Sequence, residues 1–268
     1  MRPLPRRLIL AASLLGVAAT DPEGNYDQPL DRRVVDLGPS ATAPEQHAEL
    51  RCHYFRSFMV KEIDARELGA EQLSIVPAPK GFPPCQRANV PGEIVISPEV
   101  WPGYFAGAVG RYVIFRSYDG SNGALGFAVF AATAKAPIYS ATSAGPLRFD
   151  TTAAGRLTLR FDKGFDAACS VPKDSAACIQ AIAKATGAPP LGPEVCASGY
   201  ESARRLHARW TCDEEKDSSD KCFDTQLKAF AYYDTLPSAV AVPTEVTFQP
   251  TAAPEQILGP PRACWPQD

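Results

Sequence analysis

Eight cysteines are the feature that most constrains how this chain can fold. They are Cys52, Cys85, Cys169, Cys178, Cys196, Cys212, Cys222 and Cys264. Structural zinc sites favour cysteine pairs separated by about two to four residues, often together with histidines. No cysteine pair has that spacing, and the chain has only three histidines, His47, His53 and His207. The even number without metal spacing therefore predicts a framework of disulfides in place of a cysteine metal site, and no cofactor is expected.

Closeness in the sequence suggests two of the bonds, Cys169 with Cys178 and Cys212 with Cys222. The other four cysteines would then close longer loops. Cys264 lies four residues from the end of the sequence, so a bond there would hold a segment that would otherwise fray. Because eight cysteines allow many pairings, these two bonds are a hypothesis.

The N-terminus has the three-part pattern of a secretory signal peptide. Arg2, Arg6 and Arg7 precede an apolar run from Leu8 to Ala19, which ends in small residues. A run of about 12 residues is too short for a membrane anchor, which needs about 20. We therefore expect residues 1–19 to be removed and the mature protein to be periplasmic or secreted, where disulfides persist.

Removal of the signal peptide makes the chain more acidic. The formal net charge changes from −3 to −6, because three arginines and no acidic residue are lost. Nucleic acids and anionic membranes attract basic surfaces, so neither is an expected partner. No other stretch is apolar enough to span a membrane. A protein or glycan ligand fits this charge better.

A change in pattern near residue 50 predicts where the folded domain begins. Residues 20–49 are polar and rich in proline and are expected to form a flexible lead-in, with a single mainly-β domain over residues 50–268. Residues 106–116 are apolar on both faces, as in one central strand. The adjacent Asp-Gly and Asn-Gly pairs over residues 119–123 predict a hairpin turn.

A helical insert interrupts the strand pattern at about residues 166–205. Asp174 or Ser175 can cap a first helix that Gly187 ends, and Pro193 suits the first turn of a second. Residues 225–233 alternate again and predict a strand. The expected fold is mainly β, an antiparallel sandwich or distorted barrel with a short disulfide-stapled helical insert.

No catalytic motif identifies an active site. The Gly-x-Ser-x-Gly sequence of α/β-hydrolases is absent, so no catalytic residue is assigned. His53 and His207 are the candidates for a general base, and either would need an acid and a nucleophile within hydrogen-bond reach in a cleft. Trp101, Tyr104 and Phe105, or Tyr232 with Tyr233, are candidates for an aromatic ligand platform.

An acidic loop between Cys212 and Cys222 partly matches a calcium site. Oxygen ligands at alternating positions suit calcium. The candidates are Asp213, Glu215, Asp217, Ser219 and Asp224. Ser218 stands where the known loop requires glycine, so a solvated acidic loop is the competing interpretation.

Two functions of different classes follow from the sequence. The first is an exported, disulfide-stabilised envelope or secreted protein with a non-catalytic binding or structural role. The alternative is an exported hydrolase whose site is built from dispersed residues. The surroundings of His53 and His207 discriminate between them, because a general base needs partners and a surface histidine does not.

Overall fold

The computed structural model describes residues 24–79, 81–151, 156–249 and 252–267. The signal peptide predicted at residues 1–19 lies outside these ranges. Strand is the dominant structure in the described residues, and the strands form two antiparallel sheets that do not close into a barrel. The mainly-β, sandwich-like fold predicted from the alternating patterns is therefore confirmed.

The first sheet, sheet I, contains five strands that are neighbours in chain order. They are β1 (Asp31–Pro39), β2 (His47–Tyr54), β3 (Phe58–Asp64), β4 (Gln72–Pro77) and β5 (Ile94–Ile96). The loop between β4 and β5 folds back over the outer face of the sheet. There Cys85 and Val90 pack against Leu50, Cys52 and Met59.

The second sheet, sheet II, contains the remaining strands. They are β6 (Gly103–Val109), β7 (Tyr112–Ser121), β8 (Ala124–Ala131), β9 (Tyr139–Ser143), β10 (Arg148–Thr151), β11 (Leu157–Asp166), β12 (Ser238–Phe248), β13 (Glu255–Leu258) and β14 (Ala263–Pro266). The main order is β13-β12-β11-β9-β8-β7-β6, with β10 paired to β11 and β14 to β12. All of these pairings are antiparallel.

The core between the sheets is apolar and rich in aromatic side chains. Phe58, Val60 and Ile75 of sheet I face Phe115 and Phe130 of sheet II. Tyr112, Ile114, Phe127 and Val129 belong to a second core on the other face of sheet II, together with Phe161 and Phe248 from the strands beyond. Strand β7 is therefore covered on both faces, which confirms the interpretation of its apolar pattern.

The prediction of one strand over residues 106–116 is wrong in its extent. A turn at Gly110 and Arg111 divides the segment into β6 and β7, and Gly110 has a φ of +59°. The predicted hairpin lies at Asn122 and Gly123, whose φ values of +49° and +73° are those that such a turn requires. The Asp-Gly pair lies inside β7, where the register with β8 is irregular.

Helices occupy the chain between β11 and β12, as predicted, but they extend further. They are α1 (Ser175–Thr186), α2 (Pro193–Glu214) and α3 (Asp220–Ala229), followed by a 3-10 turn (Phe230–Thr235). Gly187 ends α1 in the left-handed conformation, and Pro193 begins α2. None of the helices in the described ranges combines the length and the apolarity needed to cross a membrane.

The strand predicted over residues 225–233 is wrong, since that segment is α3 and the 3-10 turn. Ser219 caps the helix by accepting a hydrogen bond from the Cys222 N–H. Phe223, Leu227 and Phe230 are spaced by four and three residues, so they share one face of a helix. Over so short a segment, that spacing coexists with strand-like alternation.

The four disulfides include both predicted bonds. Cys169 is bonded to Cys178 and Cys212 to Cys222, while the longer loops are closed by Cys52 with Cys85 and Cys196 with Cys264. The first of these fastens the β4–β5 loop to β2, and the second joins α2 to β14. Four disulfides fit a protein of an oxidising compartment.

The segment expected to be a flexible lead-in contains β1 and a connecting strap. We call residues 24–30 the strap, because they bond to both sheets. The Asp27 N–H donates to the Ala108 carbonyl of sheet II at 2.8 Å, and the Leu30 N–H donates to Tyr54 of sheet I at 2.7 Å. Strand β1 is exposed along most of its length. An exposed strand needs no apolar alternation, so β1 had no pattern that would predict it from the sequence.

Candidate functional site

A cleft of about 820 Å³ opens where the strap crosses between the two sheets. The strap forms one wall, Phe105 to Gly107 of β6 form a second, and Arg32, His53 and Phe55 line the floor on sheet I. Arg148 of β10 reaches the rim. This volume lies within the range of about 300–1,000 Å³ that is usual for small-molecule sites.

Side chains of the strap hold this wall in place. The Asn25 amide group bonds both main-chain groups of Phe149, donating to its carbonyl and accepting its N–H. Asp27 accepts the Gly110 N–H at 2.6 Å. The Tyr26 ring lies against Gly107, where a Cβ atom would overlap the ring, so only glycine permits this approach. The wall is therefore fixed by both hydrogen bonds and packing.

Two arginines at the cleft have no counter-charge in the described residues. Neither the Arg32 nor the Arg148 guanidinium makes an ion pair or a hydrogen bond there. Arg33, the neighbour of Arg32, pairs with Asp31 at 3.0 Å, and Arg160 pairs with both Asp150 and Glu245. The cleft therefore holds two positive charges that are available to an anion.

Asp27 is the acidic residue among those that line the cleft. One of its carboxylate oxygens is committed to the Gly110 N–H on the β6–β7 turn. A single carboxylate held in this way offsets part of the charge of the two arginines. The net charge of the side chains lining the cleft remains positive, although the protein as a whole is acidic.

His53 projects from β2 toward the cleft and is neutral at neutral pH. Burial, together with the positive charges of Arg32 and Arg51, lowers its pKa from 6.5 to about 4. Its ring lies 4.8 Å from that of Phe105, measured between centroids. A neutral imidazole offers one donor and one acceptor. Within the described ranges the His53 ring has no hydrogen-bond partner, so both positions are available to a ligand.

Glu62 of sheet I holds the main chain at Phe105, which forms one wall of the cleft. Its buried carboxylate accepts the Phe105 N–H at 2.7 Å and a bond from Arg51 at 3.0 Å. Burial raises the pKa of Glu62, while these two bonds act in the opposite direction. Asp64 and Glu49 also pair with Arg51. This network joins β6 to sheet I and leaves Arg51 balanced, unlike Arg32.

The two candidate histidines lie in different parts of the molecule. His53 faces the cleft, but no carboxylate or nucleophile of the described residues lies within hydrogen-bond distance of its ring. His207 lies on α2, where its Nδ1 is 2.6 Å from the Tyr233 hydroxyl. The constellation that a hydrolase would require is therefore not assembled at His53.

The aromatic residues predicted to form a ligand platform lie in separate parts of the molecule. Trp101 and Phe105 pack against the core between the sheets, and the Tyr104 hydroxyl donates to the Glu67 carbonyl at 2.8 Å. Of these three residues, only Phe105 lines the cleft. Tyr233 is buried, whereas Tyr232 is exposed on the 3-10 turn. Neither predicted set forms a continuous platform.

The calcium candidates lie at the junction of α2 and α3. Asp213 is in the last turn of α2, and Asp224 lies within α3. Asp217 accepts the Ser219 N–H at 2.9 Å, and Ser219 caps α3. Among the residues that the structure places, no three His, Cys, Asp or Glu side chains converge on a metal position. Calcium binding here stays a prediction, which a rise in melting temperature on titration would support.

Two other pockets have less suitable chemistry. One of about 550 Å³ is a shallow depression beside the β7–β8 hairpin, lined largely by small residues such as Gly123, Ala124 and Gly145. Another, of about 560 Å³, shares Arg148 with the cleft, and its own two arginines are Arg160 and Arg262. Those arginines are already paired with carboxylates, Arg160 with Glu245 and Arg262 with Asp162. The cleft at the strap is therefore the best candidate site.

Sequence reasoning identified His53 and Phe105 but missed Arg32, Arg148 and the strap. Nothing local distinguishes Arg32 from Arg33, since the difference is only whether a carboxylate lies nearby in the fold. The chain matches no known protein family, no curated protein and no solved structure. Its function must therefore be argued from the geometry of the cleft.

Proposed function

We propose that this protein is an exported, disulfide-stabilised binding protein whose cleft takes a small anionic ligand. The observation that carries the proposal is the presence of two guanidinium groups without counter-charges, Arg32 and Arg148, at one cleft of suitable size. The N-terminal pattern and the four disulfides support localisation in the periplasm or outside the cell.

The lining indicates the chemical class of the ligand. Arginine binds carboxylate, sulfate or phosphate groups through paired N–H donors. Phe55, Phe105 and the Tyr26 ring offer apolar surface beside those charges. A ligand with one acidic group and an apolar or sugar-like face would satisfy both. Acidic glycan end groups and small organic acids belong to this class.

The role proposed is binding without catalysis. A hydrolase would need His53 to act as a general base, with an acid to orient it and a nucleophile to activate. In the described residues His53 has neither, and its low pKa makes it a weak base. No observation at the cleft favours bond cleavage over retention of the ligand. We therefore prefer the binding role to the alternative of an exported hydrolase.

Binding can be tested with Arg148, which lies at the rim of the cleft and also borders the pocket of Arg160 and Arg262. The oxidised mature protein is titrated by calorimetry and thermal shift with glucuronate, benzoate, citrate and inorganic phosphate. Loss of a hydrogen bond to a charged group costs about 1.5–3 kcal/mol. Arg148→Gln should therefore weaken binding of the best anion by roughly 10- to 100-fold.

Arg205→Gln is the matched control. Arg205 is an exposed arginine on α2 that pairs with Glu201 one helical turn away. This variant should bind as tightly as the wild type. The proposal fails if none of the anions raises the melting temperature, or if both variants lose affinity equally.

A further inference from the structure

Strand β1 forms an open edge of sheet I. It is nine residues long, and its neighbour on one side is β2, whereas no strand of the described ranges pairs with its other side. Val34 and Val35 at its centre are 51% and 38% exposed. A long strand whose N–H and C=O groups are unpaired is a template for pairing with another strand.

The hydrogen bonds of sheet I define which residues face that open edge. The Phe55 N–H donates to the Phe58 carbonyl at 2.8 Å across the β2–β3 hairpin. Hydrogen bonding alternates along antiparallel strands, so Cys52 and Tyr54 direct their main-chain groups to β1. Their partners there are Arg33 and Asp31.

The intervening residues of β1, Arg32, Val34 and Asp36, therefore direct their main-chain groups outward. Their side chains also share one face of the strand, because side chains alternate with a period of two. All three are exposed. The outward residues thus present a positive charge, an apolar side chain and a negative charge in order.

We propose that a second copy of this chain pairs with β1 in antiparallel orientation, about a two-fold axis at Val34. Val34 then lies opposite Val34 of the partner subunit. Arg32 lies opposite Asp36 of the partner subunit, and Asp36 opposite Arg32 of the partner subunit. The two five-stranded sheets join into one continuous sheet, and the outward N–H and C=O groups near the axis form bonds across it. The Arg32 N–H exchanges its bond to the Asp31 carboxylate for one of these.

Charge complementarity selects this register among the symmetric ones. An axis at Arg32 or Arg33 would place arginines opposite each other, and an axis at Asp36 would place carboxylates opposite each other. Like charges directly opposite destabilise a sheet, whereas opposite charges stabilise it. An axis at Val35 would form no ion pair. The axis at Val34 forms two ion pairs and places no like charges opposite each other.

The carboxylate of Asp36 is already oriented for this role. It accepts the Gly38 N–H at 2.8 Å and lies 2.7 Å from His47 Nδ1, while 63% of the side chain stays exposed. The irregular register between Asp36 and Pro39 limits the pairing to the first part of the strand. Charges and irregularities also protect edges from random pairing. Charges that only prevent random pairing need not be arranged so that two copies attract each other. Here the order of charges on β1 is self-complementary.

Sedimentation of the oxidised mature protein over a range of concentrations is the first measurement. It should show a monomer–dimer equilibrium. Arg32→Asp alone and Asp36→Arg alone should each be monomeric, because each places like charges opposite each other twice. An equimolar mixture of the two variants should form a heterodimer, since both of its pairs are then of opposite charge.

Val34→Pro tests the edge without changing charge. Proline removes an outward N–H, which β1 does not use in bonding to β2, so the monomer should keep its fold by circular dichroism. It should lose the dimer. Val95→Pro is the matched control, because Val95 is exposed on β5 at the opposite edge of sheet I. That variant should remain dimeric.

The outcomes separate this proposal from that for the cleft. Arg148→Gln should remain dimeric. Val34→Pro should bind anions at least as tightly as the wild type, because Arg32 then no longer pairs with Asp36 of the partner subunit. A protein that is monomeric at its highest soluble concentration would overturn the pairing of β1. So would a dimer that survives Val34→Pro, or a mixture of the charge variants that stays monomeric.

Discussion

The pKa of His53 is determined by its surroundings and differs from that of an ordinary histidine. Burial and two neighbouring arginines lower its pKa to about 4. Between pH 6.5 and 4 the unfolded chain therefore binds a proton at His53 that the folded protein does not bind. Stability that is fully present above pH 6.5 is lost as the pH falls through this window.

His53→Gln should remove that loss. The difference in unfolding free energy between pH 7 and pH 4 should be smaller in the variant by up to about 3 kcal/mol. Urea unfolding at both pH values measures it. Glu62 has a raised pKa and acts with the opposite sign, but it is present in both proteins, so the comparison isolates His53. An unchanged pH dependence would mean that the imidazole is protonated in the folded state.

Lys61 and Glu93 show that a buried charge can serve structure alone. Their side chains are 1% and 2% exposed, and the Lys61 Nζ lies 2.6 Å from the Glu93 carboxylate. Lys61 also donates to the carbonyl of Ala88 at 3.4 Å. Because Glu93 precedes β5 and Ala88 lies in the β4–β5 loop, this pair holds the loop to β3. Neither residue lines the cleft, so they take no part in the proposed function.

At the scale of elements, the disulfides differ in what they join. The bond between Cys169 and Cys178 spans 9 residues and staples the start of α1, whereas that between Cys196 and Cys264 spans 68 and joins α2 to β14. A cross-link restricts the unfolded chain more when its loop is longer. The longer loop should therefore contribute more to stability.

Replacing each bonded pair by alanines tests this difference. Removal of Cys196 and Cys264 should lower the unfolding free energy by about 2 kcal/mol more than removal of Cys169 and Cys178, from the chain-entropy relation. Urea unfolding of the two double variants, with the wild type as reference, gives the numbers. Equal losses would show that strain or residual structure in the unfolded chain outweighs loop length.

Elements with strong local signals were predictable from the sequence. Helix α1 has its glycine end signal, and the β7–β8 hairpin has an Asn-Gly turn with both φ values positive. The wrong predictions concern elements without such signals. The segment of α3 alternates like a strand, and β1 lies at an exposed edge where no apolar pattern is required. In both cases the surrounding structure decides the outcome.

At the scale of the whole molecule, the strap couples the two sheets and forms the cleft. It bonds Phe149 and Ala108 of sheet II and Tyr54 of sheet I within seven residues. Without it, the cleft would lose one wall and open to solvent. The strap is therefore the segment through which the stability of the sandwich and the proposed binding are linked.

Asn25→Ala should loosen the strap. It removes both hydrogen bonds to the Phe149 main chain, which should cost about 1–3 kcal/mol. Hydrogen exchange at the amides of Asp27 and Phe149 should become faster, and anion binding weaker. Gln28→Ala is the control for exchange at Phe149 only, since its side chain makes no hydrogen bond to a described residue but lines the cleft. Unchanged exchange at Phe149 in Asn25→Ala would contradict the role given to the strap.

The sequence by itself determined the features that depend on neighbouring residues. These are the two short disulfides, the glycine end of α1, the hairpin turn and the two apolar faces of β7, while the export signal stays a prediction. Local geometry is sufficient for them, because the interacting groups are close along the chain. Only the tertiary structure decided which cysteines close the long loops, that β1 is an open edge, and that Arg32 and Arg148 meet at one cleft. The long disulfides and the cleft depend on contacts between residues more than 30 positions apart in the sequence, and Arg32 and Arg148 are more than 100 apart. No short pattern encodes such contacts, since they follow from how whole sheets pack.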